Sequence, residues 1–141
     1  MHNEVTMREY IARVCEEGDA IEVTGRVSPV YEAPRRSAET DRMLVFNDLG
    51  EGWRGVMNLV SDRTSIARAL DLPPERVLRT LADARFDGRV GVDGPLQTVR
   101  PDLDRVPVMK HYPRDAGRYI TAGIVCSRYG GVENASVHRM L

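Results

Sequence analysis

The sequence predicts a mixed α/β (α+β) fold, and three observations carry that expectation. Apolar residues recur with helical spacing near the N-terminus, at Met7, Tyr10, Ile11, Val14 and Cys15. Short β-leaning runs of alternating apolar residues follow, separated by glycine and proline. Two such runs then flank Gly130-Gly131 near the C-terminus, the pattern of a β-hairpin.

Taken in order, Thr6 suits the N-cap of the first helix, with Glu9 completing a capping-box pattern and Gly18 supplying the stop. Ile21, Val23 and Val27 alternate with polar residues as a strand ending at Ser28-Pro29. Glu32 to Arg42 is charged, contains proline and has almost no apolar residue, so it is expected as an exposed loop. Met43 to Asn47 reads as a short buried strand and Asp48 to Gly52 as a turn. Trp53 to Val60 reads as a second strand, either a hairpin partner or a neighbour in a mixed sheet. Ser61 is the expected N-cap of the next helix, with Asp62 in its first turn and Ile66, Ala67 and Leu70 inward. Pro74-Glu75 opens another helix with Val77, Leu78 and Leu81 inward. Between Arg85 and Leu103, glycines and prolines punctuate the short segments Arg89 to Val92 and Leu96 to Val99. A domain boundary is expected there.

A chain of 141 residues suits one domain, or one domain with part of another. Its formal net charge of −1 offers no general pull toward nucleic acid or an anionic membrane. No window approaches the roughly 20 apolar residues of a membrane span, and the first residues lack the apolar core of a signal peptide. Cys15 and Cys126 lie far apart without metal-type spacing, which reads as reduced thiols in a cytoplasmic protein. His111 has no other histidine near it in sequence and makes a poor metal signal.

Chemistry concentrates toward the C-terminus. Asp102, Asp104, Arg105, Lys110, His111, Arg114, Asp115 and Arg118 make the approach to the hairpin polar, as a solvated connection also would. The arms are expected over Arg118 to Ser127 and Val132 to Leu141. In the first arm both faces are apolar or small, and Gly123 suits a bulge or a close backbone approach. In the second, Asn134, Ser136 and His138 share a face by the two-residue period. Spacing alone leaves two readings open, a row turned toward a ligand or an exposed strand face. An unsatisfied buried polar group costs about 1–3 kcal/mol, so a buried row needs partners. Asn134 and Arg139 are five apart and fall on opposite faces of a regular strand. Sharing one site requires that Asn134 lie at the loop edge or that the strand bulge, and an irregularity is expected between Glu133 and Val137.

The stretch Pro107-Val-Met-Lys-His-Tyr-Pro-Arg-Asp-Ala-Gly-Arg-Tyr-Ile-Thr-Ala-Gly-Ile-Val125, followed by Asn134-Ala-Ser-Val-His-Arg139, resembles the UbiD family of decarboxylases that use prenylated flavin mononucleotide (FMN). Met57-Asn-Leu-Val-Ser-Asp-Arg-Thr-Ser-Ile-Ala-Arg-Ala-Leu70 and Met7-Arg-Glu-Tyr-Ile11 are similar to earlier segments of the same family. The resemblance implies an N-terminal mixed α/β domain over residues 1–101. Residues 102–141 would open a split-β-barrel flavin-binding domain with its first β-hairpin. It implies Asn134 as a ligand of a divalent metal, usually manganese, with potassium as an accompanying ion. It also implies Thr121, Ser136, Val137 and Arg139 as cofactor-binding residues. Arg139 is implied as the catalytic arginine, set between flavin and substrate carboxylate. An amide oxygen suits a hard cation, and a guanidinium holds a carboxylate through two parallel hydrogen bonds. The implied reaction is non-oxidative decarboxylation of an aromatic or α,β-unsaturated carboxylic acid.

The chain departs from the family pattern in two ways. The remaining metal ligands, a histidine and a glutamate, and the proton-handling glutamates belong to later family segments, and no glutamate follows Glu133 here. Residues 32–42 look shorter and more charged than the family's helix-bearing segment. The expectation is therefore a small subunit or fragment, completed by a second UbiD-like polypeptide or by a homo-oligomer. The alternatives are a non-catalytic flavin-binding or regulatory module, and a hairpin that serves only for dimerisation.

Overall fold

The computed structural model of the chain describes residues 6–85, 102, 104–120 and 123–137. Helix α1 (Met7–Glu16) begins with the expected capping box. Thr6 N–H donates to Glu9 Oε2 at 2.8 Å, and Glu9 N–H to Thr6 Oγ1 at 3.3 Å. Tyr10 and Val14, one turn apart, are its buried residues, whereas Met7 is exposed. Gly18, at φ +75°, turns the chain into β1 (Ala20–Arg26).

Strand β1 runs parallel to β2 (Met43–Asp48), and β2 runs antiparallel to β3 (Gly55–Met57), so the sheet is mixed with order β1-β2-β3. Pairing runs from Ala20↔Met43 to Val23↔Phe46 and then slips to Arg26↔Asp48. Strand β2 is the centre of the unit. Its alternating side chains enter two cores: Leu44 and Phe46 join Val27, Ala33 and Leu49, while Met43 and Val45 join Tyr10 and Val14. The mixed α/β class expected from the sequence is the observed one.

Residues 32–38, expected as loop, form helix α2 (Glu32–Ala38). Pro34 sits in its first turn, where the missing N–H needs no helical partner. Glu32 bonds Ser28 N–H at 3.0 Å and Arg36 one turn on at 3.0 Å. Ala33 is fully buried against Val27 and Phe46. Ala33 and Pro34 are the residues that this charged helix buries, and a hydrophobic pattern does not register so short a face.

Two polar side chains fix the return to β2. Arg42 donates to the carbonyls of Gly18 at 2.6 Å and of Asp19 and Ala20 at 3.2 Å. Asn58, at φ +54°, donates to Ser37 O at 2.9 Å and Thr40 O at 2.7 Å.

The N-cap of α3 (Arg63–Ala69) is Asp62, one residue later than expected. Its carboxylate takes Ser65 N–H at 2.7 Å, while Ser61 Oγ donates to Asp41 O at 2.8 Å. Ala67 is buried and Ile66 half-buried, but Leu70 is exposed, contrary to the expected inward stripe. A 3-10 turn over Pro74–Arg76 leads into α4 (Val77–Asp83). There only Val77 is buried, and Leu78 and Leu81 are 62% and 51% exposed, which corrects the expectation that all three face inward. The helix meets the body through its first residue and the turn before it. Among the described residues no helix is long and apolar enough to cross a membrane.

Phe46 lies fully buried in the strand that both cores share. Phe46→Ala is expected to cost about 3–5 kcal/mol in urea unfolding. Asn58→Ala, which orphans backbone carbonyls, is expected to cost about 1–3 kcal/mol. Backbone N–H donors, from Ser28 and Ser65, hold the Glu32 and Asp62 carboxyls below the usual carboxylate range. The unfolded chain therefore binds more protons below about pH 4, and the stability these groups add above that pH is lost as acid titrates the folded carboxylates. Asp62→Asn and Glu32→Gln should flatten the fall of melting temperature between about pH 5 and 3.

Candidate functional site

The hairpin expected near the C-terminus is present as β4 (Ile124–Tyr129) and β5 (Val132–Val137), antiparallel, with the described strands shorter than the expected arms. Gly130 at φ +57° and Gly131 at φ +81° make the turn. Both positions favour glycine, and the primed twist matches the strands. Tyr129 and Val132 at the tip are exposed.

Asn134 stands opposite Ser127, Ser136 opposite Val125 and Val137 opposite Ile124. Asn134 and Ser136 thus occupy alternate positions of one row, as the two-residue period requires. The irregularity expected between Glu133 and Val137 is absent, because the register is unbroken from Tyr129↔Val132 to Ile124↔Val137. Backbone pairing with β4 satisfies the strand's ladder residue by residue, which leaves no extra residue to bulge. Thr121 and Arg139 lie outside the described residues. Among the described residues, no group of three or more His, Cys, Asp or Glu is placed to hold a metal.

The segment leading into the hairpin lies against the N-terminal unit. Val30 bridges Lys110 in parallel; Tyr31 N–H donates to Lys110 O at 2.9 Å and Lys110 N–H to Pro29 O at 3.1 Å. Met109 packs on the core of Val27, Ala33 and Phe46, and Arg105 pairs with Glu51 at 2.9 Å. The receiving loop is strained. Tyr31 sits at φ +66°, ψ −35°, and Glu32 N–H reaches back to Val30 O at 2.8 Å in a γ-turn. The Lys110 ammonium lies 5.9 Å from the centre of the Tyr31 ring. Nothing in the sequence around Tyr31 announces this contact, because its partner stands about eighty residues downstream.

A groove of about 730 Å³ runs beside α1, lined by Ile11, Cys15, Val45, Arg54 and Val56, and holds none of the expected site residues. Burial, then Glu22 nearby, pushes the Cys15 thiol up, which disfavours the thiolate.

Residues 11–85 match the family model of the 3-octaprenyl-4-hydroxybenzoate carboxy-lyase N-terminal domain, and residues 89–141 that enzyme's Rift-related domain. The chain is 33% identical over 142 residues to an anhydromevalonate phosphate decarboxylase of Methanosarcina mazei, covering 97% of this chain and 33% of that protein. An Archaeoglobus fulgidus protein of the same name is 41% identical over 106 residues, covering 72% of this chain and 24% of the relative. The UbiD-class enzyme HmfF from Pelotomaculum thermopropionicum, in complex with FMN, superposes with a TM-score of 0.73 at 31% identity, covering 94% of this chain and 33% of HmfF. An evolved dimeric form of HmfF with prenylated FMN gives 0.75 at 29%, covering 96% and 35%. The chain therefore spans a quarter to a third of the length of these relatives. With both family models matched in order along the chain, the protein belongs to the UbiD family of decarboxylases and spans its N-terminal portion.

Proposed function

We propose that this chain supplies one wall of the prenylated-FMN site of a cytoplasmic UbiD-like decarboxylase, its residues 102–141 opening a split-barrel flavin domain. The observation that carries the reading is the run of two family models from residue 11 to 141, with Asn134-x-Ser136-x-x-Arg139 in the second. Thr121, Ser136, Val137 and Arg139 contact the flavin. Arg139 also orients the substrate carboxylate, as a planar, permanently charged guanidinium does well. Asn134 gives one amide oxygen to a manganese ion. The substrate is a small unsaturated carboxylic acid, and the activity named for the archaeal relatives narrows it to one that carries a phosphate.

The fit is partial. One amide is a fraction of a hard cation's ligand set, and among the described residues no acidic or histidine cluster adds to it. Asn134 would be one ligand of a set that other residues complete, and no step is routed through the metal. The row of Asn134 and Ser136 on β5 is compatible with a flavin lying along the hairpin. When bound, prenylated FMN supplies the electron sink for loss of carbon dioxide. The chain's own part is to hold the carboxylate at Arg139 and to place the strand beside it. Strand β5 is regular as far as Val137, so its described part does not itself turn Asn134 out of the row it shares with Ser136. The remaining ligands and the proton-handling carboxylates come from a second UbiD-like polypeptide, from a neighbouring copy in a homo-oligomer, or from a longer form of this chain.

Native mass spectrometry and an absorbance spectrum of the protein purified as the cell makes it test this reading. Bound flavin and decarboxylation of an unsaturated acid are expected, and a protein with neither overturns it. Flavin without turnover marks a non-catalytic flavin-binding module instead. Arg139→Ala should lower turnover about a hundredfold with flavin retained, the scale of a misplaced reacting group. Asn134→Ala should reduce the manganese content measured by elemental analysis.

A further inference from the structure

The approach to the hairpin concentrates positive charge in a chain whose formal net charge is −1. Lys110, Arg114 and Arg118 stand in one nine-residue loop with a single carboxylate, Asp115, leaving the loop at +2 with His111 neutral. The loop is closed and anchored. Tyr119 N–H donates to Met109 O at 3.1 Å across its neck. Lys110 at its base is held on the N-terminal unit through Pro29 and Tyr31, and Met109 beside it is packed into the core.

Asp115 does not neutralise these cations. Its Oδ2 accepts Tyr112 N–H at 2.8 Å, and its own N–H returns to Tyr112 O at 3.1 Å, so the carboxylate is engaged in a turn. Among the described residues Lys110, Arg114 and Arg118 enter no ion pair, although Lys110 does lie over the Tyr31 ring. Arg114 and Arg118 are exposed, whereas Lys110 and Asp115 are half-buried. Unpaired guanidinium groups on a tethered loop make a fork-shaped donor set, and holding the loop's ends lowers the ordering cost of binding.

The charge decides the ligand class. A phosphate monoester carries about −1.5 to −2 near neutral pH with three acceptor oxygens, which matches a loop at +2; a lone carboxylate does not. We propose that the loop Lys110–Arg118 is the subsite for the phosphate monoester of the substrate. The assignment rests on the decarboxylase reading above, and it sends the substrate's two anions to different places, the phosphate to this loop and the carboxylate to Arg139. Arg114 and Arg118 then set specificity for phosphorylated over unphosphorylated acids.

The test is calorimetric titration of the flavin-loaded protein with inorganic phosphate, phosphoenolpyruvate (an unsaturated acid bearing phosphate) and acrylate (the same acid class without it). In the double variant Arg114→Ala/Arg118→Ala, affinity for phosphate and phosphoenolpyruvate should fall at least about tenfold, with acrylate binding and flavin content unchanged. Arg114→Lys/Arg118→Lys should recover part of the loss, and raised salt should weaken binding in the parent but little in the Ala variant. Unchanged phosphate affinity in the Ala variant overturns the proposal. So does loss of flavin along with phosphate, because the loop then holds the cofactor's own phosphate. Arginine-dependent phosphate binding in a protein without flavin or decarboxylation upholds the subsite and overturns only the decarboxylase reading.

Discussion

Everything described here hangs on the burial of β2 from both sides. Met43, Leu44, Val45 and Phe46 are four consecutive residues with almost no solvent exposure. The strand's two-residue period sends them alternately into two cores. One core takes α1 and the end of α3 through Tyr10, Val14 and Ala69; the other takes α2 through Ala33 and the incoming segment through Met109. Each fully buried aliphatic or aromatic side chain contributes about 1.5–3 kcal/mol relative to exposure, so this one strand carries a large share of the unit's stability. The hairpin approach reaches its position because Met109 has a place in the second core.

Local chemistry was legible in the sequence where both partners lie within a few residues. The Thr6–Glu9 box, the Gly18 stop and the Gly130-Gly131 turn needed nothing from elsewhere in the chain. Helix α2 was not legible, because its single deeply buried small residue and its first-turn proline are invisible to a test of hydrophobic spacing. Leu78 and Leu81 misled in the opposite sense. They have the spacing of an inward stripe, but the packing of α4 ends with Val77. Spacing reports which residues share a face and is silent on whether anything covers it.

The candidate site divides along the same line. The motif from Asp115 to Thr121 and the run from Asn134 to Arg139 were readable as chemistry, and the family comparisons agree with the resemblance they carried. Their geometry was not readable. A bulge was expected because two residues of odd separation had to meet, yet β5 keeps its register against β4 through Val137. A demand made by function does not by itself bend a strand that stays in register with its neighbour. Net charge is blind to placement: a near-neutral total is compatible with a closed loop that carries three cations and one carboxylate engaged in a turn.

The bridge between Val30 and Lys110 also bears on how the chain becomes organised in time. It joins residues eighty apart in sequence, and the γ-turn at Tyr31 is held by the carbonyl that the later residue presents. Closing so long a loop carries an entropic cost of the form (3/2)RT ln n, offset when Met109 packs against its core and Lys110 makes its backbone bonds. As the chain emerges from the ribosome, the loop that receives Lys110 waits for about eighty residues before its partner exists. The N-terminal unit is therefore not a finished body to which the later residues are merely attached. A polypeptide cut between the two family-matched portions would lack part of its own core, and the two portions gain their stability together.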